Sequence, residues 1–189
     1  MLDKDHDGII SINDFKNDII KSLIKSKLWL YEHKIYARNC EFKVVSSKES
    51  KLFLEKYHLQ GSTVDKWRYG LYYNNELVSV MTFGKSRFFE NYTEIIRYCC
   101  KNDYLIIGGA SKLFSNFRKI NNINNIISYA DADISSGKLY EVLGMKEIGI
   151  TENWKWLYRG IRYNRLNKIR HENKDLIKCY SAGTLKYKL

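Results

Sequence analysis

Proline is absent from all 189 residues, and neither an internal repeat nor a low-complexity linker breaks the chain. No stretch reaches the run of about 18 apolar residues that a membrane-crossing helix requires. The N-terminus has no apolar segment behind a basic one, so a secretory signal is not expected. These absences lead to the expectation of a soluble, cytoplasmic protein without membrane attachment. Cysteine is scarce: Cys40, Cys99, Cys100 and Cys179 have no zinc-type spacing, and reduced, buried thiols are expected. Acidic residues are the other shortage, 21 against 32 Lys and Arg, leaving a formal charge of +11. Such a field attracts polyanions, nucleic acid first and acidic membrane second. Part of that charge also follows from composition, because abundant Lys, Asn, Ile and Tyr without proline fits an AT-rich coding bias.

Three textures divide the chain. Residues 1–39 hold an acidic loop and a helical pattern over Asp14–Trp29, with Phe15, Ile19, Ile20, Leu23, Ile24 and Leu28 recurring at helical spacing. Residues 40–158 alternate strand-like and helix-like segments. Residues 159–189 form a basic extension that reads as helical and ends in a short Thr184–Leu189 stretch.

In the middle region, Cys40–Val45 reads as a strand and Ser47–Tyr57 as a helix, with Ser47 as N-cap and Glu49 favouring the helix dipole. Tyr69–Tyr73 and Leu77–Gly84 are strands joined by Asn74-Asn75, which tolerate the left-handed turn of a hairpin. Glu94–Cys99 is a further strand, and a helix follows the glycine pair from about Ala110 to Lys119. Asn125–Ala130, a short Gly137–Leu143 helix, and a closing pair, Glu147–Thr151 with Trp154–Tyr158, complete an α/β fold with a mixed sheet.

Two segments carry a resemblance. Tyr104-Leu-Ile-Ile-Gly-Gly-Ala-Ser-Lys-Leu-Phe114 runs from a strand through paired glycines into a helix. Ile126-Ile-Ser-Tyr-Ala-Asp131 and Gly137-Lys-Leu-Tyr-Glu-Val-Leu-Gly-Met145 supply a strand and a helix-to-strand ending. Together, after a β-hairpin, they resemble the GNAT acyltransferases. The resemblance implies acetyl-CoA or another acyl-CoA as cofactor, with Gly108, Gly109, Ala110, Ser111 and Lys112 at its pyrophosphate. A helix N-terminus offers unpaired N–H donors there, and glycine allows close approach. Ile107 stands where these enzymes usually carry Gln or Arg.

A narrower resemblance spans residues 18–189. Asp18-Ile-Ile-Lys-Ser22, Lys34-Ile-Tyr-Ala-Arg38, Tyr57-His-Leu-Gln-Gly61, Met81-Thr-Phe-Gly84, Ile96-Arg-Tyr-Cys99 and Ser128-Tyr-Ala-Asp131 follow one another in order. The pattern is similar to the C-terminal GNAT-like domain of phage Hef-like homing endonucleases, itself similar to Mom-type DNA-modification proteins. It implies a role on or beside DNA. No nuclease cluster is present, so nuclease activity is not expected of this chain.

The resemblance also gathers His58, Arg97, Tyr129, Asp131 and Tyr140 into a candidate catalytic set, with Gln60 and Ser111 nearby. Asp131 or His58 can take a proton from an amine, a tyrosine can protonate a leaving thiolate, and Arg97 can fix an anionic group. Tyr140 matches the position of the acid in these enzymes. Each also has an ordinary reading: His58 as a helix-end residue, Asp131 as a turn-former, Arg97 as an ion pair, the tyrosines as packing.

Two signals remain. Asp3, Asp5, Asp7, Ile9 (through its carbonyl), Ser11 and Asp14 follow the spacing of a calcium loop, with Gly8 at the sharp turn. They read either as a calcium site or as an exposed acidic segment. Arg159, Arg162, Arg165, Lys168 and Arg170, interleaved with Trp154, Trp156, Tyr158 and Tyr163, read as a nucleic-acid contact or as a solvated face. The functional expectation is a Mom-like or GNAT-like acyltransferase acting on or beside DNA. The alternatives are a non-catalytic DNA-binding module and a protein N-acetyltransferase.

Overall fold

A computed structural model describes residues 17–164, 167 and 175–189. Its centre is the run Leu77–Gly84, buried throughout, as expected of a strand covered on both faces. This run belongs to β4 (Glu76–Lys85), one of seven strands in a mixed sheet. The others are β2 (Glu41–Val44), β3 (Trp67–Tyr73), β5 (Thr93–Cys100), β7 (Ile126–Asp131), β8 (Lys146–Thr151) and β12 (Thr184–Lys188). Their order is β2-β3-β4-β5-β7-β12-β8. All neighbours run antiparallel except β5 and β7. The β3–β4 hairpin turns through Asn74 and Asn75, both left-handed at φ 49° and 64°.

Helices cover both faces of the sheet. Helix α3 (Gly109–Asn121) sets Leu113, Phe114 and Phe117 against Tyr69, Phe83 and Ile126, with Phe117 stacked on Phe83. Helix α2 (Ser47–Tyr57) packs Phe53 and Leu54 on Val45, Leu77 and Val80 from the opposite side. Its N-cap is Ser46, not Ser47: the Ser46 hydroxyl accepts from the Glu49 N–H. Cys100 packs with the α3 cluster and Cys99 with the α2 cluster, the two-sided placement that strand alternation demands. All four thiols are free.

Helix α1 (Asn17–Lys27) ends before the Trp29 to which its periodicity extended. Ile19 is buried, whereas Ile24 and Leu28 are exposed, so only part of the apolar stripe meets the body. A parallel pair, β1 (His33–Tyr36) with β6 (Tyr104–Ile107), lies beside the main sheet. The short helix α4 (Lys138–Val142) follows β7.

The C-terminal region departs from the helical expectation. Beyond β9 (Trp154–Tyr158) the chain forms β10 (Ile161–Asn164), β11 (Ile177–Tyr180) and then β12. The final strand lies between β7 and β8, and its Tyr187 is fully buried. The expected β8–β9 pair does not form: β8 bonds to β12, while β9 centres a separate three-stranded sheet with β10 and β11. Alternating Leu185 and Tyr187 carry the strand period, but five residues offered too short a pattern to outweigh the basic charge around them. Arg165, Lys168 and Arg170 lie outside the described residues, as does the calcium-loop set Asp3, Asp5, Asp7, Ile9, Ser11 and Asp14.

Candidate acyl-transfer site

Strands β5 and β7 pair over only three positions, Thr93 with Ile126, Glu94 with Ile127 and Ile95 with Ser128. The Ser128 hydroxyl donates to the Ile95 carbonyl at 3.1 Å and closes the last of these. Beyond it the strands part. Ile96 is bulged out of the β4 pairing, since Arg97 opposes Thr82 while Ile95 opposes Phe83. A bulge bends a strand and re-aims its side chains. The result is a cavity of about 500 Å³ lined by both parting strands, by α1, by the end of α2 and by α4.

His58, Arg97, Tyr129, Asp131 and Tyr140 all line this one cavity, as does Gln60. Each is also engaged in structure. The His58 Nδ1 accepts from the Gln60 N–H at 3.1 Å, and its own backbone N–H ends α2 on Leu54. The Asp131 carboxylate accepts from the Asp133 N–H at 3.0 Å, the turn-forming geometry of a short acidic side chain. Arg97 donates through Nε to the Gly61 carbonyl and through a terminal nitrogen to the Ile96 carbonyl, tying the segment after α2 to the bulge. Burial and the nearby Arg87 lower the Arg97 pKa, against the pull of Glu94.

Tyr140 reaches across the split from α4: its hydroxyl donates to the Tyr129 carbonyl at 3.4 Å, and its ring stacks on Tyr187. Burial raises its phenol above the ordinary value, with Glu94 adding to the effect, while Ser128 and Arg97 oppose it. The Tyr129 phenol is raised by burial and by Glu94 as well. Cys99 and Cys100, on the same strand, are pushed up mainly by burial and stay protonated thiols.

The head of α3 lies beyond the lining of this cavity, which extends along β6 as far as Ile106. Gly108 is left-handed at φ 76°, and no side chain caps the helix. Gly108 is exposed, and a Cβ there would make only an ordinary contact with the Ala37 methyl, at 3.8 Å. A Cβ on Gly109 would crowd Ile106 and come within 3.4 Å of the hydroxyl of Tyr98, a cavity residue. Lys112 turns elsewhere: its ammonium donates to the carbonyls of Ala37 and Cys40, at 3.0 and 2.6 Å. That arrangement ties α3 to the preceding turn and leaves the helix N-terminus without its nearest cation.

Sequence reasoning missed Glu94. Its side chain is buried, one carboxylate oxygen meets Arg87 at 3.3 Å, and the other has no partner among the described residues. Glu94 is the second residue of β5 and belongs to no local motif, so nothing in the sequence separates it from a solvated edge residue. The α1 wall of the cavity, Ile19, Ser22 and Leu23, was legible only as an amphipathic stripe.

This fold has parallels among solved acetyltransferase structures. A Bacillus subtilis acetyltransferase in complex with CoA aligns with a TM-score of 0.51 at 15% identity, covering 79% of this chain and 97% of the other. The ribosomal-protein-S18-alanine N-acetyltransferase of Escherichia coli gives 0.52 at 11% identity, covering 79% and 92%. An N-acetyltransferase of Staphylococcus aureus Mu50 gives 0.53 at 14% identity, covering 80% and 98%. The chain has the GNAT acetyltransferase fold. No protein-family model and no curated protein matches its sequence. None of these three neighbours is a phage endonuclease-associated or Mom-type protein. Among the described residues no cluster of three or more His, Cys, Asp or Glu is placed to hold a metal, and no helix is long and apolar enough to cross a membrane.

Proposed function

We propose that the chain is an acyl-CoA-dependent acyltransferase, with the parting of β5 and β7 as its reaction centre. The carrying observation is that this split gathers His58, Arg97, Tyr129, Asp131 and Tyr140 around one cavity. Bound acyl-CoA supplies an activated acyl thioester. The head of α3, Gly108 to Ser111, fits its pyrophosphate: it has no side-chain cap, it carries a positive dipole end, and Gly108 before it is exposed and uncrowded. Lys112 is not assigned to the phosphates.

On the protein's side, Tyr140 holds the proton to be delivered to the departing sulfur. Because burial raises its pKa, the phenol stays protonated through neutral pH. Any alkaline loss of activity set by Tyr140 therefore falls above the ordinary tyrosine range. Asp131 and His58 are the candidates for taking the amine proton, and Arg97 shapes the wall through Gly61. The formal charge of +11 favours DNA as acceptor or partner over a neutral peptide, consistent with a Mom-like role. The S18-alanine N-acetyltransferase among the structural neighbours supports a protein N-terminal amine as the competing acceptor.

A second reading, a DNA-binding module that has kept the fold without the chemistry, has its own support. Ile107 replaces the usual polar residue, Lys112 is engaged by Ala37 and Cys40, and Asp131 and His58 both accept turn hydrogen bonds.

Calorimetric titration with acetyl-CoA separates the two. Saturable binding that Ser111→Glu abolishes is expected of the transferase, with Tyr140→Phe binding as tightly but turning over roughly 100-fold more slowly. Absence of acetyl-CoA heat from folded protein sinks the acyltransferase assignment and leaves the binding module.

A further inference from the structure

The small sheet made by β9, β10 and β11 takes no part in the proposed chemistry, yet one of its faces is unusual. Strand alternation and register put Trp154, Trp156 and Tyr158 of β9 on the same side. Tyr163 of β10 lies opposite Trp156, while Lys178 and Tyr180 of β11 lie opposite Trp156 and Trp154. Five aromatic rings and a lysine therefore share one face of a three-stranded sheet. The β9–β10 turn, Arg159-Gly160, has both residues left-handed, at φ 48° and 82°, the twist that a two-residue hairpin turn requires.

None of these rings belongs to either hydrophobic core. The tryptophans, Tyr158 and Tyr163 are partly exposed, and Tyr180 is 60% exposed. Cations sit against the rings: Lys178 Nζ lies 4.9 Å from the Trp154 ring centre and 5.9 Å from that of Trp156, and the Arg159 guanidinium lies 5.2 Å from Tyr158. Arg162 and Lys155 add charge on the reverse side of the same strands, and Glu152 and Asp175 oppose them from the segments leading into β9 and β11.

We propose that this face is a docking platform for single-stranded DNA, an inference that rests on the reading of DNA as the partner. Stacked rings bind the flat faces of unpaired bases, which a duplex keeps covered, and cations between the rings meet the phosphates. A sheet presenting aromatic side chains is a recurrent geometry for two or three splayed bases. The platform holds no carboxylate or amide fork for reading base edges, so binding is sequence-tolerant.

The test uses the full chain and a 5′-labelled oligothymidylate of about 12 nucleotides, with fluorescence anisotropy and tryptophan quenching as readouts. Saturable binding that quenches tryptophan and weakens with salt is expected. Trp154→Ala should weaken it about tenfold, and Trp154→Phe, which keeps a stacking ring, should restore most of the loss. Lys178→Gln should lower the salt slope by about one. The melting temperature of each variant shows whether the fold is intact.

Any one of these outcomes overturns the platform: no saturable binding of the oligonucleotide, a duplex of equal length bound as tightly or more tightly, or Trp154→Ala binding like the wild type. Preferential seating of the wild type on phosphatidylserine vesicles also overturns it, assigning the rings to a membrane surface. Duplex binding indifferent to Trp154 leaves DNA as partner and removes this surface. Single-strand binding without acetyl-CoA binding retains the platform and removes the acyltransferase.

Discussion

Lys112 shows how a residue's neighbours change what its type suggests. In sequence it is the cation nearest the glycine turn; in the fold its ammonium bonds to two carbonyls across from α3. Removing it strands those acceptors. Lys112→Met is expected to lower unfolding free energy by about 2 kcal/mol, the scale of a lost charged hydrogen bond. A urea denaturation midpoint measures this, while the acetyl-CoA dissociation constant should change less than about twofold. A large loss of affinity with unchanged stability would return Lys112 to the cofactor. That Asp131 and His58 line one cavity follows the resemblance, because both flank turns that it places. Glu94 was illegible because its burial comes from the packing of the folded sheet, and no local motif links it to its ion-pair partner Arg87 in the β4–β5 loop.

At the level of elements, glycine positions with demanding geometry govern how α3 and α4 begin. Gly137 is left-handed at φ 76°, and a Cβ there would overlap the Tyr187 ring of β12. Gly137→Ala combines left-handed strain with overpacking against a fully buried side chain. It is expected to cost about 3 kcal/mol, read as a lower guanidinium midpoint at unchanged m-value. The α2 and α3 helices, the β3–β4 hairpin and the strand ahead of α4 were legible within a residue or two. Their periodicity and turn residues agree. Strand β1 was not, because its four residues alternate poorly and its parallel partner β6 lies about 70 positions away, a pairing no local pattern encodes.

For the whole molecule, the C-terminal strand is decisive. Residues 159–189 looked like an appendage because their basic charge dominates the pattern, yet β12 bonds to β7 on one side and β8 on the other. Deleting 184–189 would expose two strand edges and remove Tyr187 from the core. The truncated chain is expected to lose its cooperative thermal transition, which circular dichroism would follow. A melting curve close to that of the full chain would mean that the main sheet closes without β12.

The sequence by itself determined the α/β class, the excess of positive charge, the glycine turn before α3 and the residue types available for acyl transfer. These are set by local periodicity, turn chemistry and composition, which need no distant partner. Only the tertiary structure decided that β5 and β7 part after three paired residues, that Lys112 faces away from the helix head, and that the aromatic rings of the C-terminal region share one sheet face. Each of these depends on which distant strand supplies the neighbouring hydrogen bonds, and strand partners are chosen by the burial of the whole sheet.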